Sequence, residues 1–405
     1  IVADKASISN DYEIGLGLYG YLSERAGNID GNNDSGIRAK IVEPVERLTP
    51  AKRIAMITKI AKLNDKEGWN TPTPQALAEA GAYFMGTNTS YDNDKLSNGS
   101  VSGSKRFSGF AESVNSAKKS NLLTYQSPIT TTANQCSGNG IYLLTDGKPQ
   151  ATSNDIAKAV MDKSLTGSTL KLNSTCSGLS GSADTGWACT GEYSKLLRNS
   201  ANPSGKTIKT ATVGFGTEFA GITAKRTITV DGEPLEVVDC EGSANTADDQ
   251  NALNLCRLGQ RWGDDEKLDP TKQAKIYGDG GFYYVKDGGE GDDTIQKSLL
   301  EFAASLTYVI DTAPSGTITV PNDPYQASSQ LAYAYLPMLD PDIASASSTR
   351  KGNLKKYALN HGTLLGKNDN KLYNNVAGAL SNVTQDLWQS GDYKVKEATV
   401  NNVIE

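Results

Sequence analysis

Residues 141–147 read Ile-Tyr-Leu-Leu-Thr-Asp-Gly. An apolar run that stops on an acidic turn has the pattern of a strand buried on both faces, and such strands belong to parallel sheets. The strand delivers Asp146 to its carboxyl end, the edge at which open α/β sheets bind ligands. Asp146 is therefore the first candidate for a working residue. Upstream, Gly68-Trp-Asn-Thr-Pro-Thr-Pro-Gln-Ala-Leu77 puts the Thr71 hydroxyl in a loop just before a helix. A carboxylate and a hydroxyl on neighbouring loops suit a hard divalent cation, Mg2+, Mn2+ or Ca2+, which takes oxygen ligands.

Working outward, strands alternate with helices. Glu13–Leu22 reads as a strand, Asn28–Gly36 as a polar hairpin tip, and Ile37–Val45 as the return. The tip begins like a calcium loop, but Ser35 replaces the turn glycine and Ile41 stands where glutamate belongs. Thr49-Pro50 opens a helix whose buried stripe is expected to be Ile54, Ile57, Ile60 and Ala61, with lysines opposite. Thr73-Pro74 opens the next, with Leu77, Ala80 and Phe84 as its apolar face. A helix from Ser153 turns Ile156, Ala159 and Val160 inward. Lys209–Gly216 and Gly280–Lys286 are further strands, and the helix after Asp293 carries Ile295, Leu299, Phe302 and Leu306. Loop-rich insertions are expected near 87–135, 166–203 and 239–269. The order predicts an α/β domain over 1–310, a mainly parallel sheet with helices on both faces. Residues 311–405 change character, from an extended Pro/Ser/Ala-rich linker to short strands, an all-β segment.

Composition narrows the chemistry. One histidine, His361, supports neither a multi-histidine zinc site nor most acid–base relays. Neither a GxxxxGK[ST] loop nor a GxSxG elbow occurs, and no nucleophile stands with a base, so an enzyme is not expected. A net charge of −6 without a basic stripe argues against nucleic acid as a partner. No apolar run reaches the ~20 residues of a membrane helix. Five cysteines lie in loop-like sequence with no CxxC pair. Spacing favours Cys176–Cys189 and Cys240–Cys256 as disulfides, which implies an oxidising compartment, and leaves Cys136 over.

The succession of strand Glu13–Leu22, the Thr71 turn, LLTDG, VGFG and GGFYYV resembles a von Willebrand factor A domain. The wording is closer still to the PilC/PilY family of type IV pilus tip-associated proteins. TPTPQALAEAGAYF is similar to that family's TP…AL…YF segment, and CSGNGIYLLTDGKPQ to its cysteine-containing TDG strand. RKGNLKKYAL and Gln385-Asp-Leu-Trp388 resemble the linker into its carboxy-terminal β-propeller. The resemblance covers about residues 13–390. It implies a von Willebrand factor A-like, Rossmann-type fold over 1–310 and the beginning of a β-propeller-like domain in 311–405. It also implies a protein secreted across the inner membrane to the pilus tip, outer membrane or cell surface of a Gram-negative bacterium. Its expected partners are minor pilins and a host-cell or extracellular-matrix ligand. The expected role is a pilus-associated adhesin and biogenesis factor, the alternative a metal-independent tip cap that primes assembly and opposes retraction.

Such domains build a metal-ion-dependent adhesion site from a DxSxS turn, a threonine and the TDG aspartate. Thr71 matches the threonine and Asp146 the aspartate. The DxSxS turn is missing: Asp4-Lys-Ala-Ser7-Ile-Ser9 has one residue too many and lies directly before strand 13–22. The first strand and helix of the domain are accordingly expected upstream of Ile1.

Overall fold

The computed structural model describes residues 12–21, 38–62, 71–90, 107–129, 138–145, 148–150, 152–230, 233–247, 249–286, 291–306, 320, 322–323, 326–340, 351–360, 363–372 and 386–388. Two compact units divide the chain, one of residues 1–230 and 234–308, the other of 309–405 with 231–233.

The first unit opens with an antiparallel pair, β1 (Glu13–Tyr21) and β2 (Arg38–Arg47). The turn 28–36 and the calcium-loop-like residues in it lie outside the described residues. Helix α1 (Pro50–Ala61) starts where expected: the Thr49 hydroxyl accepts the Lys52 N–H at 3.2 Å, and Pro50 needs no partner in the first turn. Helix α2 (Thr73–Met85) ends on Gly86, whose φ of 69° is the left-handed cap glycine adopts without strain. Then follow β3 (Asn139–Thr145), α3 (Asn154–Ser164), α4 (Trp187–Arg198), β4 (Ile208–Phe215), the hairpin strands β5 (Lys225–Val230) and β6 (Glu233–Val238), and α5 (Gln250–Gly259). Two short helices, α6 (Asp264–Leu268) and α7 (Pro270–Gln273), precede β7 (Asp279–Val285) and α8 (Gly291–Leu306).

Strands β3, β4 and β7 make a parallel sheet with β4 in the middle, Leu143 beside Thr212 and Thr212 beside Phe282. The mixed α/β class read from the sequence is thus present. Period-2 alternation sends Ile141 and Leu143 toward α2, α3, α4 and α5, where they meet Leu77, Ala157, Tyr193 and Leu255. Gly140 and Tyr142 face α8: a Cβ on Gly140 would stand 2.3 Å from the Phe302 ring, and the Tyr142 hydroxyl shares a 2.7 Å hydrogen bond with Ser298. Helices thus lie on both faces of the sheet, and the middle of β3, Ile141–Leu144, is apolar for that reason.

The α1 stripe is a correction. Ile54, Ile57 and Ile60 are 65%, 41% and 47% exposed, while Lys52, Arg53 and Met56 are buried. The helix turned because β2 and the residue after it offer its charged residues partners: the Lys52 ammonium donates to the Pro44 carbonyl at 2.5 Å and to Glu43 at 3.2 Å, and Arg53 Nε donates to the Leu48 carbonyl. Buried charges need such partners; isoleucines tolerate water.

The insertions differ from expectation as well. That near 166–203 contains α4, with Trp187, Cys189, Tyr193 and Leu197 buried, and that near 239–269 contains α5, with Ala252, Leu255, Cys256 and Leu258 buried. Both are core helices whose flanking Ser/Gly/Thr-rich segments masked their period. Both expected disulfides are present, Cys176–Cys189 and Cys240–Cys256. The first fastens a loop to α4 and the second fastens the segment after β6 to α5. Cys136 lies outside the described residues.

In the second unit, β10 (Tyr333–Asp340), β11 (Lys351–Asn360) and β12 (Thr363–Leu365) form an antiparallel meander, and Asn322–Asp323 pairs with Gln326–Gln330 as β8 and β9. Ala334, Leu336, Tyr357, Leu364 and Leu372 make its core, and Lys355 pairs with Asp386 at 2.9 Å in a buried setting. No helix among the described residues is long and apolar enough to cross a membrane.

Candidate functional site

Helices α2, α3, α4 and α5 begin near one another on the side where β3 ends, as the Gln150–Thr71 and Trp187–Asn251 hydrogen bonds and the approach of Gly186 to Pro74 and Thr152 show. Their N-terminal N–H groups give this edge a positive bias. Thr71 lies here, ahead of α2, half-buried. Its carbonyl accepts the N–H of Gln150 at 2.9 Å and that of Thr73 at 2.8 Å. The first of these bonds joins the Thr71 loop to the loop that leaves β3. Thr71 does not cap α2, whose N-cap is Pro72 without a side-chain bond, and its hydroxyl makes no hydrogen bond among the described residues.

Asp146 lies outside the described residues. Its strand is described as far as Thr145, buried and level with Gly214 of β4, and the chain is picked up again at Lys148. The next helix, α3, is capped by Ser153, whose hydroxyl accepts the Ile156 N–H at 3.3 Å. Helix capping, the ordinary use of an aspartate in such a turn, is already filled by another residue.

Around this edge the packing is close. Gly186, at φ 67° before α4, leaves 2.8 Å between a notional Cβ and Pro74 and 3.3 Å to the Thr152 hydroxyl, so a side chain would separate α4 from α2. Thr152 Oγ1 and Asn154 Oδ1 are buried without hydrogen-bond partners among the described residues. The Trp187 indole N–H donates to Asn251 at 3.0 Å. Asp249 caps α5: burial pushes its carboxyl up, but the N–H groups of Ala252 and Asn251, the Asn251 side chain and the Lys148 charge together hold it below the usual aspartate range. Sequence reasoning missed Asp249 and Gln150. Asp249-Gln-Asn-Ala before an apolar period was a legible cap; nothing in the sequence marks Gln150. Among the described residues no group of three or more His, Cys, Asp or Glu is placed to hold a metal.

A second polar cluster lies deeper. Glu79, mid-way along α2, is buried; its carboxylate accepts from Thr89 Oγ1 at 2.7 Å, from the Gly109 N–H at 3.1 Å and from the Tyr125 hydroxyl. Tyr125 shares a 2.6 Å bond with Ser113, whose hydroxyl accepts the Ile41 N–H at 2.9 Å. Burial raises the Glu79 pKa from 4.5 to about 7, although these donors and the Lys118 charge pull the other way. The signal was present in the sequence, a lone carboxylate among Leu77, Ala78, Ala82 and Tyr83.

No protein-family model, no curated protein and no solved structure matches this chain.

Proposed function

We propose that the chain is a type IV pilus-associated adhesin and biogenesis factor of the PilC/PilY kind, with a von Willebrand factor A-like domain that engages a surface ligand through a divalent cation. The resemblance in TP…AL, TDG and GNLKKY supplies the family. The observation that carries the site is the Gln150 N–H to Thr71 carbonyl bond, which brings the threonine loop beside the loop that follows Asp146. The Thr71 hydroxyl and a carboxylate from Asp146 supply two oxygen ligands, and an acidic group of the partner completes the shell. Disulfides fit a secreted protein.

Titration calorimetry with Mn2+ tests the site. The intact chain is expected to give a binding heat that Asp146→Ala removes and Thr71→Ala weakens; equal heats from all three proteins exclude the cation reading.

A second reading, a metal-independent tip cap, is favoured by a different observation: Leu122 and Leu123 present an exposed apolar tip on the first insertion. Leu122→Asp with Leu123→Asp, scored for pilus number and adhesion separately, distinguishes the two. Fewer pili at unchanged adhesion per pilus support the cap.

A further inference from the structure

The amino edge of the parallel sheet, where β4 and β7 begin, gathers charge of one sign. Arg198 ends α4, Lys209 is the second residue of β4, Arg261 follows α5 and Lys267 lies on α6. They surround Asp279, the buried first residue of β7, which stands beside Thr210. One carboxylate oxygen of Asp279 accepts the Trp262 N–H at 3.0 Å. The other takes Lys267 at 3.1 Å, and Lys209 stands 3.9 Å from it, beyond hydrogen-bond reach. Lys267 has a second acid, Asp264, at 3.9 Å. Besides Asp279, the charges that act on Lys209 are Lys267, Arg261 and Arg198, all of its own sign. Burial, with these three cations, holds the Lys209 ammonium below the usual lysine range against the pull of Asp279.

Unmade hydrogen bonds mark the same place. Arg198 directs Nη1 to the carbonyls of Ile276 and Tyr277 at 3.0 and 3.3 Å, and Arg226 directs its terminal nitrogens to Glu266 and the Arg261 carbonyl. The Nε–H groups of Arg198, Arg226 and Arg261 are nevertheless buried without partners among the described residues, and so is the indole N–H of Trp262, a residue 5% exposed. All four lie around the segment from Arg261 to Asp279, and the other unpartnered buried side-chain atoms among the described residues are oxygens. A buried donor without an acceptor carries its full desolvation cost, which a solvated basic face does not incur. Lys209 and Lys267 are not fully solvated either, their side chains being 22% and 28% exposed. Beside Lys209 a shallow pocket lined by Asn139, Thr207 and Ser305 gives access to this edge.

We propose that this edge binds a doubly charged oxyanion group, phosphate or sulfate, through Lys209, Lys267, Arg198 and Arg261. Four cations against Asp279 and Asp264 leave two positive charges, which a dianion cancels. Its several oxygens accept from several donors at once, and guanidinium meets such groups with two parallel bonds. A carboxylate ligand leaves one charge unbalanced. The site is independent of the cation site, which lies where β3 ends.

Titration calorimetry of the intact chain with sodium phosphate at pH 8, sodium chloride holding the ionic strength, tests the proposal; sodium sulfate is run alongside. Both oxyanions are expected to give saturable heats, and chloride none. Lys209→Met and Arg261→Met each weaken binding about ten- to a hundredfold, the size of one charge-assisted hydrogen bond. Asp279→Asn keeps an acceptor for Trp262, removes the competing charge and tightens binding about tenfold, which a purely structural cluster does not do. Thermal melts confirm folding, and Lys267→Gln, at a more exposed position, replaces any variant that does not fold. Thr71→Ala leaves these heats unchanged, so loss of the cation site and loss of this one are read separately. Dextran sulfate binding more tightly per sulfate than the free ion assigns the group to a polymer, and equal affinity to a free ion. Equal heats from the intact chain, Lys209→Met and Arg261→Met, or the same heat from chloride, overturn the proposal.

Discussion

The first insertion and the two that follow it are fastened to the same core by different chemistry. Residues 107–129 carry no disulfide and hang on Glu79, which receives Thr89, Gly109 and Tyr125 at one buried carboxylate. The segments around α4 and α5 are each closed by a disulfide, Cys176–Cys189 and Cys240–Cys256. The contrast shows two ways of holding a long excursion. A covalent closure lowers the entropy of the unfolded chain and responds to reductant. A buried acid raises the value of native contacts and responds to pH.

The comparison breaks most sharply at Glu79. Glu79→Ala leaves three buried donors unsatisfied and opens a cavity, and is expected to cost about 4 kcal/mol in denaturant unfolding. Glu79→Gln keeps the shape and is expected to cost far less. Next, Cys240→Ser with Cys256→Ala opens a closure of sequence separation 16, worth about 3 kcal/mol, and Cys176→Ser with Cys189→Ala one of 13, worth nearly as much. Neither pair of changes is expected to alter exchange of the Tyr125 amide.

The pH response sharpens the distinction further. The folded pKa of Glu79 is raised, so the native state holds the proton more tightly than the unfolded chain does. The resulting stability is fully present below about 4.5 and is lost as pH rises through about 7, at most about 3 kcal/mol. The difference in Tm between the native chain and Glu79→Gln, followed from pH 5 to 8, is expected to shift in favour of the variant; a constant difference removes Glu79 as the titrating anchor. Smallest is Thr49→Ala, which deletes the α1 cap at about 1 kcal/mol and touches neither kind of fastening.

Where backbone rules decide, the fold was legible. The strands around Leu143, Val213 and Phe282 fell within two residues of expectation because a strand covered on both faces has a mainly apolar centre. The Thr49 cap was equally plain, and spacing paired the four cysteines. Facing was not legible. Ile54, Ile57 and Ile60 formed a credible stripe, yet Pro44 and Leu48 carbonyls drew Lys52 and Arg53 inward, and a contact made across the chain overrides a periodicity read along it. Helices α4 and α5 were hidden because Ser, Thr and Asn flank and interrupt their apolar period. Of the candidate site, the Thr71 loop and the end of β3 were legible as neighbours through their order in an α/β unit. The Gln150 bond that joins them depends on a main-chain amide, which no side-chain pattern encodes.

The two disulfides also set a mechanical limit. When a chain is pulled end to end, sequence enclosed by a cross-link cannot be drawn out. Sequence separations of 13 and 16 withhold about 100 Å of contour from such a pull. Under tension the unit therefore yields less slack than its length implies, because residues 176–189 and 240–256 stay enclosed until their cross-links are reduced.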